Sequence, residues 1–425
     1  MLIEELYPIF LKHPSVQTDT RKLKAGDFYF ALKGEHFNGN NFATQALEKG
    51  AAYAIVDEEI ALFDKRIIKV DDVLNTLQQL AKYHRQQFNI PFLAITGSNG
   101  KTTTKELIHA VLSSRYKTYT TEGNLNNHIG IPLTLLKIKA DAEFAVIEMG
   151  ANHQKEIASY CTYTLPNFGL INNCGKAHLE GFGGIEGVRK GKGELYDFIR
   201  ETKGSIFINT DYDYLLEMSA GIQNKITYGT AHAETTGSLV ESEPLLKVEI
   251  TSDSSIGVIE TKLVGDYNLP NVLAAVCVGS FFKVPPRKIK DAIENYHPTN
   301  SRSQLIKKGT NMIILDAYNA NPSSMRAAIE NFARMHADKK VIILGGMAEM
   351  GSASLSEHKA VIDLLKQYNW LKVALVGGDY SKNDHPYHNF KNVNEAREWF
   401  LQQHFHHTYL LIKGSRSMKM EDVLL

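Results

Sequence analysis

The stretch Ala94-Ile95-Thr96-Gly97-Ser98-Asn99-Gly100-Lys101-Thr102-Thr103-Thr104 decides the fold. The apolar run Phe92-Leu93-Ala94-Ile95 enters it after Pro91, and Leu107, Ile108, Val111 and Leu112 follow at helical spacing. Strand, glycine turn and helix start together aim backbone N–H groups and the positive end of a helix dipole at one point, where a polyphosphate fits. Gly97, Ser98, Asn99 and Gly100 form the cradle, Lys101 supplies charge for the β and γ phosphates, and the Thr102 hydroxyl is placed to ligate Mg²⁺. The strict phosphate-loop pattern is not met, because Ile95 stands at its first glycine position and Gly97 serves in a shorter loop. The competing explanation is a glycine turn before a helix with a chance Lys-Thr; the flanking elements favour ATP or GTP binding.

Outward from this loop the chain reads as α/β. Strand-like runs at Phe28 to Leu32 and Ala51 to Val56, with a helical pattern at Phe42 to Lys49, predict a small α/β unit over residues 1–85. A polar helix, Thr76 to Phe88, leads out of it. Residues 86–298 carry apolar strands at Phe92 to Thr96, Phe144 to Met149 and Ile206 to Asn209 between helical patterns, which predicts a central parallel-sheet domain covered on both faces. His297-Pro298-Thr299-Asn300-Ser301 predicts a linker. Residues 299–425 alternate again: strands at Met312 to Leu315, Val341 to Leu344, Val373 to Val376 and Tyr409 to Ile412, helices at Ser323 to Met335, Glu357 to Tyr368 and Val393 to His404. That layout is Rossmann-like without a G-x-G-x-x-G.

Composition narrows the function classes. With 425 residues, two to four domains are expected. The 47 Lys+Arg and 47 Asp+Glu cancel, which removes the electrostatic reason for a nucleic-acid or anionic-membrane partner. Cys161, Cys174 and Cys277 make no C-x-x-C pair, so neither a disulfide framework nor a thiolate zinc site is expected, and a reducing cytoplasm fits. The first residues lack a basic segment followed by a long apolar run, and no apolar stretch approaches the roughly 18 residues of a spanning helix, so neither export nor insertion is expected. No assembly helix is evident, which leaves a monomer as the expectation. His404, His406 and His407 lack metal-ligand spacing and read as surface residues.

Ligands of open parallel sheets gather at the carboxyl ends of strands. Glu148, after Phe144-Ala145-Val146-Ile147, is either a Mg²⁺ ligand or a solvated strand-end carboxylate. Asp316, after Met312-Ile313-Ile314-Leu315, could bind ribose or cap the next helix. Val188, Lys192, Leu195, Tyr196 and Ile199 share one helical stripe, so Lys192 interrupts an apolar face. A neutral buried amine can add CO₂ to give a carbamate, an anionic metal ligand; the alternative is a snorkelling or ion-paired lysine. His178, in Gly175-Lys176-Ala177-His178-Leu179-Glu180-Gly181, is a second candidate ligand.

Collected in order, these segments resemble the Mur ligases over essentially the whole chain. The resemblance is carried by Thr18-Asp19-Thr20-Arg21, Gly26-Asp27-Phe28-Tyr29-Phe30-Ala31-Leu32, the phosphate loop, Gly123-Asn124-Leu125-Asn126-Asn127-His128 and Glu148-Met149-Gly150-Ala151-Asn152. It continues through Ala177-His178-Leu179-Glu180-Gly181, Tyr267-Asn268-Leu269-Pro270-Asn271, Asp316-Ala317-Tyr318-Asn319-Ala320-Asn321-Pro322 and Lys413-Gly414-Ser415-Arg416. The order is closest to the branch that joins D-alanyl-D-alanine to a UDP-N-acetylmuramoyl-tripeptide with ATP, through an acyl phosphate, in peptidoglycan synthesis. The resemblance implies that Thr18, Asp19, Thr20, Arg21 and the Phe37 to Phe42 loop hold the UDP end of that substrate. Gly97 to Thr103 would hold ATP, with Lys101 on phosphate and Thr102 and Glu148 on Mg²⁺. His178 and carbamylated Lys192 would serve a second Mg²⁺. Asn271, Arg302 and Asp316 would contact adenine, phosphate and ribose, Asn126 and Asn127 the acceptor, and Ser415 and Arg416 the dipeptide.

Two departures stand out. Leu344-Gly345-Gly346-Met347 lacks the acidic residue that many relatives carry after the first glycine, and Asn172-Asn173-Cys174-Gly175-Lys176 is unusual before His178. Neither is expected to touch the phosphate machinery. A sister ligase for another amino acid is disfavoured by the absence of an N-terminal G-x-G-x-x-G and of an Asp-Asn-Pro-Arg segment. A nucleotide-driven switch gives the His178/Lys192 pair no role, and a non-enzymatic relative would be expected to have lost Lys101 or Lys192.

Overall fold

The computed structural model describes residues 2–299 and 301–425, so Asn300 of the expected linker lies outside the described residues. The chain forms two compact units: Met1–Ala94, Tyr116–Gly150 and Lys155–Gly169 make one, and Ile95–Arg115, Ala151–Gln154 and Leu170–Leu425 make the other. The strands Phe92–Thr96 and Phe168–Ile171 each contribute residues to both.

In the first unit, Val16–Gln17, Phe28–Phe30, Tyr53–Val56 and Ile67–Lys69 form a four-stranded sheet in that order, parallel throughout. Tyr29, Ala31, Ala54 and Val56 pack with Ala43, Ala46 and Leu47 of the helix Ala43–Glu48. The next helix spans Val73–Arg85, three residues earlier than its apolar pattern suggests, because the Asp72 carboxylate caps it by accepting from the Asn75 N–H at 2.6 Å. Thr118–Thr120 pairs parallel with Phe144–Glu148, whose five residues are all buried.

In the second unit, Ser205–Asn209, Asn224–Gly229 and Thr235–Glu241 are parallel neighbours. Beyond them Lys247–Ile250 and Val258–Glu260 continue the sheet antiparallel. These two strands extend the expected parallel sheet at one edge, in the opposite sense.

Residues 304–413 form a six-stranded sheet in the order Gln304–Lys308, Asn311–Asp316, Tyr409–Lys413, Lys340–Gly345, Lys372–Val376, His388–Phe390. All neighbours are parallel except the first pair. Alternation along the strands separates two cores. Ile314, Ile342, Leu344 and Leu375 face the helices Pro322–Arg334 and Ser354–Leu365, whereas Ile313, Val341, Ile343 and Val376 face Ala396 and Trp399 of the helix Val393–Gln402. The carboxyl ends of the neighbouring strands Asn311–Asp316 and Tyr409–Lys413 bring Asp316 level with Lys413.

Candidate functional site

The phosphate loop leaves the buried strand Phe92–Thr96 and opens directly into the helix Lys101–Ser113. Gly100 sits at the helix entrance with φ +80°, a left-handed conformation open to glycine, and a Cβ there would stand 2.6 Å from Asn271 Oδ1. Lys101 Nζ rests on the loop's own Gly97 carbonyl at 2.6 Å, and Thr102 is buried in the first turn. An α-helix leaves its first N–H groups without intrahelical acceptors, so this turn presents donors to an anion.

The loop is braced from Asn172 to Gly175. The Ser98 N–H donates to the Asn173 carbonyl at 2.9 Å, and the Ser98 hydroxyl to the Gly175 carbonyl at 2.9 Å. Asn173 Oδ1 accepts from the Asn99 N–H at 3.0 Å while its Nδ2 donates to the Asn99 carbonyl at 3.2 Å. Asn172 Nδ2 donates to Thr104 Oγ1 at 2.6 Å, beneath the loop helix. The expectation that this departure stays clear of the phosphate machinery is therefore corrected: the two asparagines supply the side-chain amides that hold the loop.

Asn271 joins the same network. Its Oδ1 accepts from the Thr104 hydroxyl at 2.9 Å and its Nδ2 donates to Asn268 Oδ1 at 2.8 Å. The amide is committed at both ends, under the loop. On the other side Asn321, the cap of the helix Pro322–Arg334, donates from Nδ2 to Asn99 Oδ1 at 2.8 Å.

Lys192 lies on the buried stripe with Val188, Leu195, Tyr196 and Ile199 and is 1% exposed. Its Nζ donates to the Ala151 carbonyl at 3.0 Å and stands 4.9 Å from the centre of the Phe182 ring. It does not snorkel to solvent. His178, in a left-handed conformation at φ +51°, pairs through Nδ1 with Glu349, itself at φ +59°. The hydrogen bond from His178 holds the Glu349 carboxyl below its ordinary range. Glu349 escaped the sequence reading; it lies three residues beyond Gly346, where the absent acidic residue was noted.

At the carboxyl end of Asn311–Asp316, Asp316 Oδ1 accepts from the Ser303 N–H at 3.2 Å and Oδ2 pairs with Lys413 Nζ at 2.5 Å. The Arg302 guanidinium lies 3.5 Å from the centre of the Tyr318 ring, and its buried Nε has no hydrogen-bond partner among the described residues. Ser415 is buried and donates to the Gly346 carbonyl at 2.6 Å, whereas Arg416 is exposed and pairs with Glu421.

In the first unit, Glu148 is 1% exposed, which removes the solvated-carboxylate explanation. Its Oε1 accepts from Asn126 Nδ2 at 2.7 Å, while Oε2 is buried with no hydrogen-bond partner among the described residues. A buried carboxylate oxygen left without a donor is costly unless a cation meets it. Asn127 Oδ1 accepts from the Ile129 N–H at 3.2 Å and the Gly130 N–H at 2.8 Å, at the start of the helix Gly130–Leu136. Arg21 grips Asp19 with two hydrogen bonds of 2.9 and 2.8 Å, which holds the Asp19 carboxyl down at about 2. Thr18 donates its N–H to Gln17 Oε1 at 3.1 Å, and the Thr20 carbonyl accepts from Lys49 Nζ at 3.0 Å. The expected surface histidines His404, His406 and His407 are exposed, and no cluster of three or more His, Cys, Asp or Glu able to hold a metal occurs among the described residues.

Residues 14–85 match the profile described as the Mur ligase family, catalytic domain, residues 95–279 the Mur ligase middle domain, and residues 301–416 the Mur ligase, glutamate ligase domain. The chain is 34% identical to the UDP-N-acetylmuramoyl-tripeptide--D-alanyl-D-alanine ligase of Bacillus subtilis and 35% identical to that of Escherichia coli, each over 96% of this chain and 92% of the relative. A crystal structure of MurF from Acinetobacter baumannii superposes with a TM-score of 0.88 at 31% identity, covering 96% of this chain and 92% of that one. A MurF ligase from Thermotoga maritima, solved in complex with ADP, gives 0.85 at 25% identity over 97% of both chains.

Proposed function

The chain belongs to the Mur ligase family, and from that premise we propose that it joins D-alanyl-D-alanine to UDP-N-acetylmuramoyl-tripeptide at the expense of ATP, completing the pentapeptide precursor of peptidoglycan. The observation that carries this reading is the likeness to ligases of that specificity along nearly the whole chain, phosphate loop included. Residues 1–85 hold the UDP-sugar, 86–298 ATP, and 299–425 the incoming dipeptide. The protein works as a monomer in the cytoplasm; among the described residues, no helix is long and apolar enough to cross a membrane.

The reaction runs in two steps. The tripeptide carboxylate attacks the γ-phosphorus of ATP, an acyl phosphate forms and ADP leaves; the dipeptide amine then attacks the acyl carbon and inorganic phosphate departs. Lys101 exchanges the Gly97 carbonyl for phosphate oxygens, and the first-turn N–H groups of its helix meet the charge that spreads over the transferring group. Arg302, stacked on Tyr318, faces phosphate, and Asp316 takes the ribose. Asn271 braces the loop from below and would contact the adenine.

Mg²⁺ supplies charge neutralisation on the phosphates. Glu148 fits it through its orphaned Oε2, and Thr102 fits it as a first-turn hydroxyl. Lys192, 1% exposed, would hold a second ion as the carbamate formed when its amine adds CO₂, and His178 would be its companion ligand. Arg21 and Asp19 line the UDP end, and Asn126, hydrogen-bonded to Glu148, and Asn127 face the acceptor. Arg416, exposed beside the locked Ser415, is the dipeptide contact. Supplying ATP, Mg²⁺ and the UDP-tripeptide with single amines tests the specificity: D-alanyl-D-alanine should release phosphate faster than L-lysine, D-glutamate or meso-diaminopimelate, and a preference for any of those three would overturn it.

A further inference from the structure

The ion pair Asp316–Lys413 joins the carboxyl ends of two neighbouring parallel strands, where the register sets the residues side by side. Lys413 has 2% of its side chain exposed and Asp316 17%, so the lysine lies beneath and the carboxylate faces outward. A carboxylate has about four acceptor positions on two oxygens. Lys413 Nζ takes one at 2.5 Å and the Ser303 N–H another at 3.2 Å, which fixes the plane of the carboxylate and leaves its remaining lone pairs open. The same ammonium donates to the Asn319 carbonyl at 3.2 Å, tying down the turn that carries Tyr318 against Arg302. Among the described residues Lys413 is the only cation in ion-pair distance of Asp316.

We propose that Lys413 is a positioning residue for the nucleotide ribose: it does not reach the ligand but aims Asp316 at the sugar hydroxyls. This rests on the reading of Asp316 as the ribose partner given above. A charge-assisted hydrogen bond to each hydroxyl requires the carboxylate plane to stay fixed. Without the ammonium, Asp316 is left partly buried with one oxygen unpaired and rotates toward solvent or other donors. A lysine that merely stabilised the fold would weaken binding of all nucleotides alike; one that aims Asp316 changes the discrimination between ribose and deoxyribose.

The test is calorimetric binding of ADP and of 2′,3′-dideoxy-ADP to the full-length protein and to D316A, K413M and K413R, each checked for folding by its melting transition. Wild type should bind ADP at least about tenfold more tightly than the dideoxy nucleotide. D316A and K413M should bind the two equally, and K413R, which keeps the charge but moves it, should show an intermediate gap. A wild-type gap in K413M and K413R beside a closed gap in D316A overturns the role of Lys413 and leaves the ribose reading standing. A wild-type gap in D316A itself removes the ribose reading. If K413M does not fold, K413R decides: an intermediate gap supports the proposal and a wild-type gap overturns it.

Discussion

Asn321 Nδ2 donates to Asn99 Oδ1 at 2.8 Å, so the side chain that caps a helix of residues 301–425 also holds the tip of the phosphate loop. Its Oδ1 meanwhile accepts from the Ser324 N–H at 2.9 Å, closing the cap. One amide thus performs two jobs that substitutions can separate.

N321A loses both and should cost about 1 kcal/mol of stability for the cap together with weaker ATP binding. N321D keeps an acceptor for Ser324 but loses the donor to Asn99. It should unfold at nearly the wild-type urea concentration while its KM for ATP rises; an unchanged KM in N321D would show that the Asn99 contact is idle.

Gly100 is intolerant of a side chain for two reasons, its φ of +80° and the 2.6 Å approach to Asn271 Oδ1. G100A should lose about 1–2 kcal/mol for conformation alone, more for the disrupted Thr104–Asn172–Asn271 network, and should fail to bind ATP. Urea unfolding and nucleotide titration measure both.

Lys101 Nζ donates to the Gly97 carbonyl at 2.6 Å and to the Ser98 carbonyl at 3.4 Å, both in its own loop. K101M should lose on the order of 10²–10³-fold in kcat, the scale of one missing transition-state donor. A variant with near wild-type turnover would exclude Lys101 from phosphate binding.

Two buried histidines are held neutral. His84 accepts from the Tyr7 hydroxyl at 2.9 Å and donates to the Ile138 carbonyl at 2.8 Å; His358 accepts from the Met347 N–H at 3.1 Å and donates to the Ser354 carbonyl at 2.7 Å. Burial lowers both pKa values below the ordinary 6.5. The unfolded chain then binds more protons than the folded one between the folded values and 6.5, so this contribution is full above pH 6.5 and declines as pH falls below it. The slope is at most about 1.4 kcal/mol per pH unit for each histidine. Urea midpoints at pH 7.5 and 5.5 should differ in wild type and differ less in H358Q.

Carbamylation of Lys192 is checked by native mass spectrometry and ¹³C NMR with labelled bicarbonate. The expected outcome is a carbamate signal in wild type, absent from K192A. Active, ATP-bound protein with an unmodified Lys192 contradicts it.

The loop, its strand and its helix were legible because an apolar run, two glycines and a Lys-Thr pair leave few alternatives. The stripe of Val188, Lys192, Leu195, Tyr196 and Ile199 was legible for the same reason, since helical spacing alone sets which side chains share a face. What spacing does not carry is the partner of a polar side chain. Asn172 and Asn173 were read as remote from phosphate and brace its loop, and Glu349 and Lys413 were passed over because their partners, His178 and Asp316, lie 171 and 97 residues away in sequence. The antiparallel strands Lys247–Ile250 and Val258–Glu260 were missed because short, half-exposed strands carry little apolar pattern.

The central claim is tested most directly by the mass of the product formed from UDP-N-acetylmuramoyl-tripeptide, ATP, Mg²⁺ and D-alanyl-D-alanine. The account predicts a UDP-pentapeptide, heavier than the tripeptide substrate by one dipeptide less water, with one ADP and one phosphate released per amide formed. ATP turnover without that product, or no dependence on the dipeptide, would contradict it.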